Sequence, residues 1–521
     1  MTVRFGELLE NLAHRRPDGA AVTFRGRTRT WAEVHRRCAS AAAAFERLGL
    51  KPGERIAHLG FNSDTFFELC FAAPMARLEI VAMNFRWSPR ECVAALEDAA
   101  PRALVFDAAH ADIAREAAAA CPSVRLLVQA DGAAPERVLA YDGLAADGGR
   151  PASRGSGGDD TLIVCFTGGT TGRSKGAIIS HANMMTNALG APPIMHCEPE
   201  RPQIIVGPMF HMAPGSRVYS SVLLNAHTII MPEFDPGRMM ELIERHRVHA
   251  VTMVPTMMHM LLEHPEFGRH DLSSLGPIML GGSPTPSDLL ERALAAFPGA
   301  SFTNGYGMTE TSNLIAALAP EHHVLEGSMS GKLRSVGRPV PYLDVRIFDS
   351  DDRETPRGGT GEIVVRGPTV MKGYLNRPDE TAEAMRGGWF HTGDMGRFDA
   401  DGLLHISGRA KEMIITGGEN VYPAEVEDVL SMHPDVAQAA VIGMPDEKWG
   451  EEVHAVVIPT EGAKPDSDAL IAHCRSRLAG YKRPRGVTFR TEPMPLTGTG
   501  KVRKLALRDA LLAVRGEGRS S

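Results

Sequence analysis

The chain reads as an α/β protein: a large amino-terminal domain of layered α/β subdomains, a β-rich subdomain behind it, and a small α+β carboxy-terminal domain. Three observations predict this. The first half alternates short strand-like runs with alanine-rich helical ones, ERIAHLG, DTFFELCFAAPMA, RALVFD, AHADIAREAAAACP and VRLLVQ, which is the pattern of stacked strand and helix layers. From about residue 300 it gives way to glycine-punctuated β runs, LDVRIFDS, GEIVVRG and GLLHISG. After GRAKEMIITGGENVYP the chain becomes a compact mixture of two helical and two strand-like segments.

In chain order, TLIVCF (161–166) is an unbroken apolar run of strand length and AIIS (177–180) a second one. The stretch between them, FTGGTTGRSKG (166–176), is therefore a turn between buried strands. Ahead of it, GLAADGGRPASRGSGGDD (143–160) is too polar and glycine-rich for a core and reads as an exposed connector. At the carboxy end, PAEVEDVLSMHP is a helix with Pro423 in its first turn, AQAAVIG and HAVVIP are strands, SDALIAHCRSRLAG is a helix, and VRGEGRSS is a frayed tail. These assignments divide the chain into residues 1–408 and 412–521, with the boundary at 409–411.

A chain of 521 residues with 43% apolar content exceeds what one core serves and is long enough to form a deep cleft. Its net charge of -7, without long basic runs, makes no electrostatic case for nucleic acid, so an anionic ligand must be met locally. The seven cysteines are scattered and free of CxxC spacing, as expected of reduced thiols. The opening MTVRFGELLENLAHRRPDG carries acidic residues where a signal peptide needs an apolar core, and no segment approaches membrane-spanning length. A cytoplasmic protein is expected.

Glycines in 166–176 let the backbone reach positive φ and present N–H groups to a close guest, while threonine hydroxyls and Lys175 add donors and charge. Phosphate oxygens suit such a surface. The loop is not the common G-x-x-x-x-G-K-[ST] nucleotide loop, because Ser174 rather than glycine precedes Lys175. By composition alone a flexible turn fits as well.

Five further segments follow in order: NGYGMTE (304–310), GEIVVRGPTVMKGYLNRPDET (361–381), WFHTGDMGRFDADG (389–402), GRAKEMIITGGENVYPAEVE (408–427) and PLTGTGK (495–501). With the opening loop they resemble the adenylate-forming superfamily of acyl-CoA synthetases, peptide-synthetase adenylation domains and beetle luciferases, over nearly the whole chain. The resemblance implies an ATP-dependent ligase in which a carboxylic acid displaces pyrophosphate, forming an acyl-adenylate that passes its acyl group to coenzyme A, with Mg2+ as the metal. It also implies that the small domain is mobile. Thr167, Gly168, Gly169, Thr170, Thr171, Gly172 and Lys175 would cradle phosphate, although Gly169 and Ser174 stand where the family usually has serine and proline. Lys501 would bridge the acyl carboxylate and the α-phosphate; Leu496 and Thr499 replace the usual lysine and serine ahead of it. Asn304, Gly305, Tyr306, Gly307 and Met308 would contact nucleotide, with Tyr306 beside adenine, Thr309 donating to phosphate and Glu310 as the magnesium ligand. Gly281, Gly282 and Ser283 of GGSPTP would line adenine and the acyl entrance, while Asp394 and Arg409 would hold the ribose. Lys411 matches the hinge, and Gly417 and Gly418 would let the loop approach the CoA arm, unless they form only a turn. His211, in PMFHMAPGSRVYSSVLL (208–224), would gate the acyl channel or sit near the carboxylate; packing alone is the alternative.

That pocket segment contains no carboxylate. An unpaired substrate ammonium buried there would cost several kcal/mol, so α-amino acids are disfavoured. Too few residues follow Lys501 for a carrier-protein domain, which favours free CoA; the alternative is an acyl-AMP ligase loading a separate carrier protein. Met253, Met257, Met258 and Met260 either shape an adaptable apolar pocket or pack in a core. An apolar fatty, aryl or alicyclic acid is the expected substrate. Arg217 is expected to be solvated or ion-paired, with a second acidic group on the substrate as the other reading. The oligomeric state is open, a homodimer included.

Overall fold

The computed structural model describes residues 3–167, 174–283, 285–325, 330–475, 477–496 and 502–517. The chain folds as two compact units. One comprises Met1–Thr285, Leu289–Asp344 and Val365–Phe390; the other Pro286–Asp288, Val345–Val364 and His391–Ser521. The chain passes for the last time from the first unit to the second between Phe390 and His391.

In the first unit the chain builds two large sheets. An eight-stranded sheet orders Gly373–Tyr374, Lys175–Ser180, Thr161–Thr167, Glu79–Ala82, Arg55–Leu59, Ala103–Phe106, Leu126–Gln129 and Leu139–Ala140. All four residues of Ala103–Phe106 are buried, as expected of a parallel strand covered on both faces. A nine-stranded sheet carries Pro277–Gly281 beside Ser301–Met308, with Asn313–Leu318 returning antiparallel. Helices start where the sequence signals them: Thr30 with Glu33, and Ser88 with Glu91 ahead of Pro89, close reciprocal capping boxes at Trp31–Arg47 and Pro89–Ala99. The predicted strands and helices of the first half are all present. No helix among the described residues is long and apolar enough to cross a membrane, and all seven cysteines are free.

The connector is exposed or half-buried over most of its length, as expected, and is anchored at a few points. Tyr141–Ala146 is helical, Ala145 and Ser156 are buried, and the Glu46 carboxylate accepts from the Ala152 and Ser153 amides at 2.8 and 3.3 Å. Ser156 Oγ lies 2.9 Å from His181 Nε2. These fixed acceptors tie an otherwise exposed segment to the domain, and no hydropathy pattern announces them. Met253 and Met258 are core residues, Met257 packs at the core edge and Met260 is exposed, so the methionine run packs mainly as core.

A buried charge network ties Arg27–Thr30, Trp31–Arg47 and Asp64–Met75 together. Glu68 is fully buried and accepts from Arg37 Nε at 2.7 Å, with Arg29 Nε at 3.6 Å; Arg29 also pairs with Asp64. Burial pushes the Glu68 carboxyl up to about 7 while the Arg37 and Arg29 guanidiniums pull against it.

In the second unit, Ile414–Thr416 and Glu419–Val421 form a hairpin beside the antiparallel pair Val436–Asp446 and Gly450–Pro459, with Gly486–Phe489 pairing parallel to His454–Val457. Pro423 opens the Pro423–Ser431 helix as predicted. The tail departs from expectation, because Lys504–Glu517 is a helix that runs through the first part of VRGEGRSS. Its start is fixed by Lys504 Nζ, 3.1 Å from Glu412 and 2.9 Å from Glu427, and these two carboxylates raise the Lys504 pKa against the opposing effect of burial.

Candidate active site

The strands Thr161–Thr167 and Lys175–Ser180 are antiparallel partners, with Thr167 opposite Lys175 and Phe166 opposite Gly176. The two strands are thus the arms of a hairpin rooted in the eight-stranded sheet. Gly168, Gly169, Thr170, Thr171 and Gly172 lie outside the described residues. Thr167 Oγ1 donates to the Lys175 carbonyl at 3.4 Å.

Residues 368–381 brace this hairpin and join it to NGYGMTE. Gly373 and Tyr374 pair with Ile178 and Ala177, and the Lys372 and Leu375 amides donate to the Ile178 and Gly176 carbonyls at 2.9 and 2.8 Å. Asn183 Nδ2 donates to the Pro368 and Val370 carbonyls. On the other side, the Met371 amide donates to the Glu310 carbonyl at 2.7 Å, and buried Ser312 donates through Oγ to the Thr369 carbonyl. The outcome is a convergence of side chains from three distant segments. The Tyr374 hydroxyl donates to Glu310 Oε1 at 3.0 Å, the Lys175 ammonium lies 5.1 Å from the centre of the Tyr374 ring, and Lys175 pairs with Glu380.

Glu310 and Thr309 sit on a single 3-10 turn, Thr309–Thr311, that ends the Ser301–Met308 strand. Glycine at 307 is a steric demand, since a Cβ there would stand 1.5 Å from the Asn313 carbonyl oxygen on the returning strand. Gly307→Ala is therefore expected to force those strands apart, at a cost on the order of 3 kcal/mol, and to abolish ATP-dependent turnover. A lowered unfolding midpoint together with lost activity checks it. The same close packing brings Gly281 opposite Gly305, where a Cβ on Gly281 would lie 2.8 Å from the Gly305 oxygen. Gly282 has φ +83 and Ser283 follows it, while Asn304 and Tyr306 are buried and Met308 packs against the core.

His211 precedes the Met212–Leu224 helix with its ring against Phe210, the centroids 4.1 Å apart. Arg217 on that helix is neither solvated nor ion-paired. It is 7% exposed, its Nη1 lies 3.3 Å from Cys197 Sγ and 3.9 Å from Met195 Sδ, and no carboxylate among the described residues pairs with it. Its long apolar stem lets the residue run inward along the helix, which charge counting does not foresee.

In the second unit, Asp394 and Arg409 face each other across the antiparallel strands Phe390–Phe398 and Leu404–Arg409. Arg409 Nε lies 2.8 Å from Asp394 Oδ1, and Nη1 donates to the Thr392 carbonyl at 2.9 Å. Asp394 is buried, its backbone amide donates to Thr392 Oγ1, and the Arg409 pair orients its carboxylate. Lys411 is exposed in the Ala410–Glu412 turn that follows. Gly417 and Gly418 have φ +60 and +85 and are the two turn residues of a hairpin, the geometry in which glycine is favoured at both positions. A Cβ on Gly417 would strike the Trp449 ring at 2.7 Å, whereas the space around Gly418 is open. The turn explains the pair, and only Gly418 offers room for a close approach. Lys501 and Thr499 lie outside the described residues; the flanking Leu496 and Val502 form a β bridge, and the Arg503 amide donates to the Pro495 carbonyl at 2.7 Å.

Within the first unit, then, Tyr374 touches both Lys175 and Glu310, and within the second Asp394 pairs with Arg409. Sequence reasoning missed Tyr374 and Glu380. Both stand in the quoted motif at 361–381, where the available signal was an aromatic residue and a first-turn acid beside Pro378.

Residues 9–375 match the AMP-binding enzyme family and residues 425–501 the AMP-binding enzyme C-terminal domain. The chain is 40% identical over 493 residues to a feruloyl-CoA synthase from Amycolatopsis sp., covering 94% of this chain and 96% of that one. Among solved structures it is similar to the amide bond synthetase McbA from Marinactinospora thermotolerans, with TM-score 0.87 and 31% identity, covering 97% and 99% of the two chains. It is also similar to the o-succinylbenzoate coenzyme A synthetase MenE from Bacillus subtilis in complex with ATP and magnesium ion, with TM-score 0.84 and 29% identity, covering 96% and 98%. The chain belongs to the AMP-binding enzyme family and is an adenylate-forming, acyl-CoA synthetase-like enzyme.

Proposed function

We propose that the protein is an ATP-dependent acid–thiol ligase that adenylates an apolar carboxylic acid, an aryl acid first among them, and transfers the acyl group to coenzyme A. The observation that carries this reading is the meeting of Lys175, Tyr374 and Glu310 on one brace. A cation beside a carboxylate on a glycine-rich hairpin suits a triphosphate, and the oxygen donors Glu310 and Thr309 fit magnesium, which takes one or two carboxylates with phosphate oxygens. Bound there, Mg2+ would neutralise charge on the phosphates. The likeness to a feruloyl-CoA synthase and the absence of a carboxylate in 208–224 support an aryl acid over an amino acid.

A carboxylate resists attack by a thiol because its leaving group would be oxide. Joining its oxygen to the α-phosphorus of ATP, with pyrophosphate leaving, converts it to an acyl-adenylate whose leaving group is AMP. The protein's work is positioning and neutralisation. In this reading Lys175 and the loop amides hold the departing phosphates, Asp394 accepts from ribose hydroxyls while Arg409 fixes its orientation, and Lys501 draws the carboxylate to the α-phosphate. Thiol attack then needs a different arrangement, which we assign to rotation at Lys411. Lys411→Pro, which fixes φ, should slow one half-reaction by at least about tenfold more than the other; equal rates in both would remove the hinge. We place the enzyme in the cytoplasm, where its seven free thiols stay reduced.

The deciding experiment measures pyrophosphate release across fatty, aryl and alicyclic acids, with and without CoA. CoA-stimulated turnover with aryl acids supports the proposal. Release whose acyl product reaches a carrier protein or an amine but never CoA overturns the acceptor, and release with none of the acids overturns the activity.

A further inference from the structure

We propose that Glu380 is a positioning residue for the phosphate-binding loop: it stations the Lys175 ammonium when no triphosphate is bound and yields it when phosphate oxygens arrive. The inference rests on the reading of Lys175 as a phosphate ligand. Glu380 lies in the first turn of Pro378–Ala384 and uses its two oxygens differently. Oε2 pairs with Lys175 Nζ, and Oε1 faces Arg377 Nε at 3.6 Å. Arg377 is anchored in turn, with Nη1 3.2 Å from Asp98 Oδ1 and 3.1 Å from the Asn376 carbonyl, while Asn376 Nδ2 donates to the Asp98 carbonyl at 2.7 Å. Four charges therefore alternate from the Pro89–Ala99 helix to the hairpin: Asp98, Arg377, Glu380, Lys175. Glu380 is the one carboxylate within ion-pair distance of Lys175 among the described residues.

This arrangement suits a latch better than a permanent strut. The side chains of Lys175 and Glu380 are 26% and 38% exposed, so water and salt screen the pair and it contributes at most modestly. Several phosphate charges outcompete one carboxylate for a lysine on a flexible stem. When Lys175 leaves, Glu380 keeps Arg377, so no carboxylate is stranded. The Tyr374 ring lies beside the ammonium while its hydroxyl holds Glu310, so one side chain links Lys175 to the proposed metal ligand. Because Glu380 competes with phosphate for one cation, it weakens ATP and pyrophosphate alike and so favours release of pyrophosphate.

Glu380→Gln should lower both the ATP KM and the inhibition constant for pyrophosphate by about threefold to fivefold at low ionic strength, the range of an exposed pair. The difference should shrink as salt rises. Glu380→Asp, which keeps the charge, should stay near wild type, and in a Lys175→Ala background Glu380→Gln should have no further effect. A residue that only braced the loop would raise the ATP KM when replaced. If Lys175→Ala raises the ATP KM while Glu380→Gln leaves both constants unchanged or raises them, the inference about Glu380 falls alone. If Lys175→Ala leaves the ATP KM unchanged, the phosphate role of Lys175 falls and takes this inference with it.

Discussion

Lys501→Ala is expected to cut acid-dependent ATP–pyrophosphate exchange by about 10²–10³-fold, the usual effect of removing one well-placed charge-stabilising donor. Thioester formation from a supplied acyl-adenylate should survive. The asymmetry follows from where charge accumulates. Two unit anions 4 Å apart repel by about 4 kcal/mol at an effective dielectric of 20, and adenylation must bring a carboxylate oxygen up to an already anionic α-phosphate. An ammonium touching both turns that repulsion into attraction. Thiol attack on the finished adenylate involves no such approach. Equal loss of both half-reactions would refute the role given to Lys501. Its described neighbours are fixed: Leu496 and Val502 form a β bridge, and Lys504, clamped by Glu412 and Glu427, pins the start of the Lys504–Glu517 helix.

The layered fold was legible because its strands are unbroken apolar runs alternating with alanine-rich helical ones, and Pro423 marked a helix start. The motif residues Lys175 and Glu310, which share Tyr374 as a neighbour, and the pair Asp394 with Arg409 were identified through resemblance rather than through any pattern of hydropathy. The brace at 368–381 was invisible for a physical reason. Its strand contribution is only Gly373–Tyr374, too short to show alternation, and its bonds run from backbone amides to carbonyls that any sequence supplies. Burial of Arg217 among sulfur atoms and of Ser156 beside His181 likewise depends on partners far along the chain. The requirement for glycine at 417 comes partly from the Trp449 ring against it, a partner more than thirty positions along the chain.

Arg37→Ala is expected to lower stability by about 3–5 kcal/mol at pH 8, the cost of leaving a buried carboxylate short of its partner. At pH 5 the cost should be much smaller. Glu68 is fully buried, and burial already lifts its carboxyl to about 7 with Arg37 in place. Removing the guanidinium that opposes this lift raises it further, so the variant escapes the stranded charge by binding a proton wherever protons are plentiful. The sign follows from linkage. A carboxyl raised in the folded state contributes stability that is fully present below its unfolded value, near 4.3, and is lost as pH rises through the folded value. Wild type should therefore lose part of this stability between about pH 4.5 and 7, and Arg37→Ala should lose more and continue losing at higher pH. Arg29, at 3.6 Å, remains to limit the damage, and Asp64, which Arg29 also serves, divides its effect. Unfolding midpoints from pH 5 to 8 test the point, with Glu68→Gln as reference because it carries no titrating group at this position. A gap between Arg37→Ala and wild type that stayed constant across that range would mean that Glu68 holds its charge throughout, and that Arg29 alone is enough to keep it ionised.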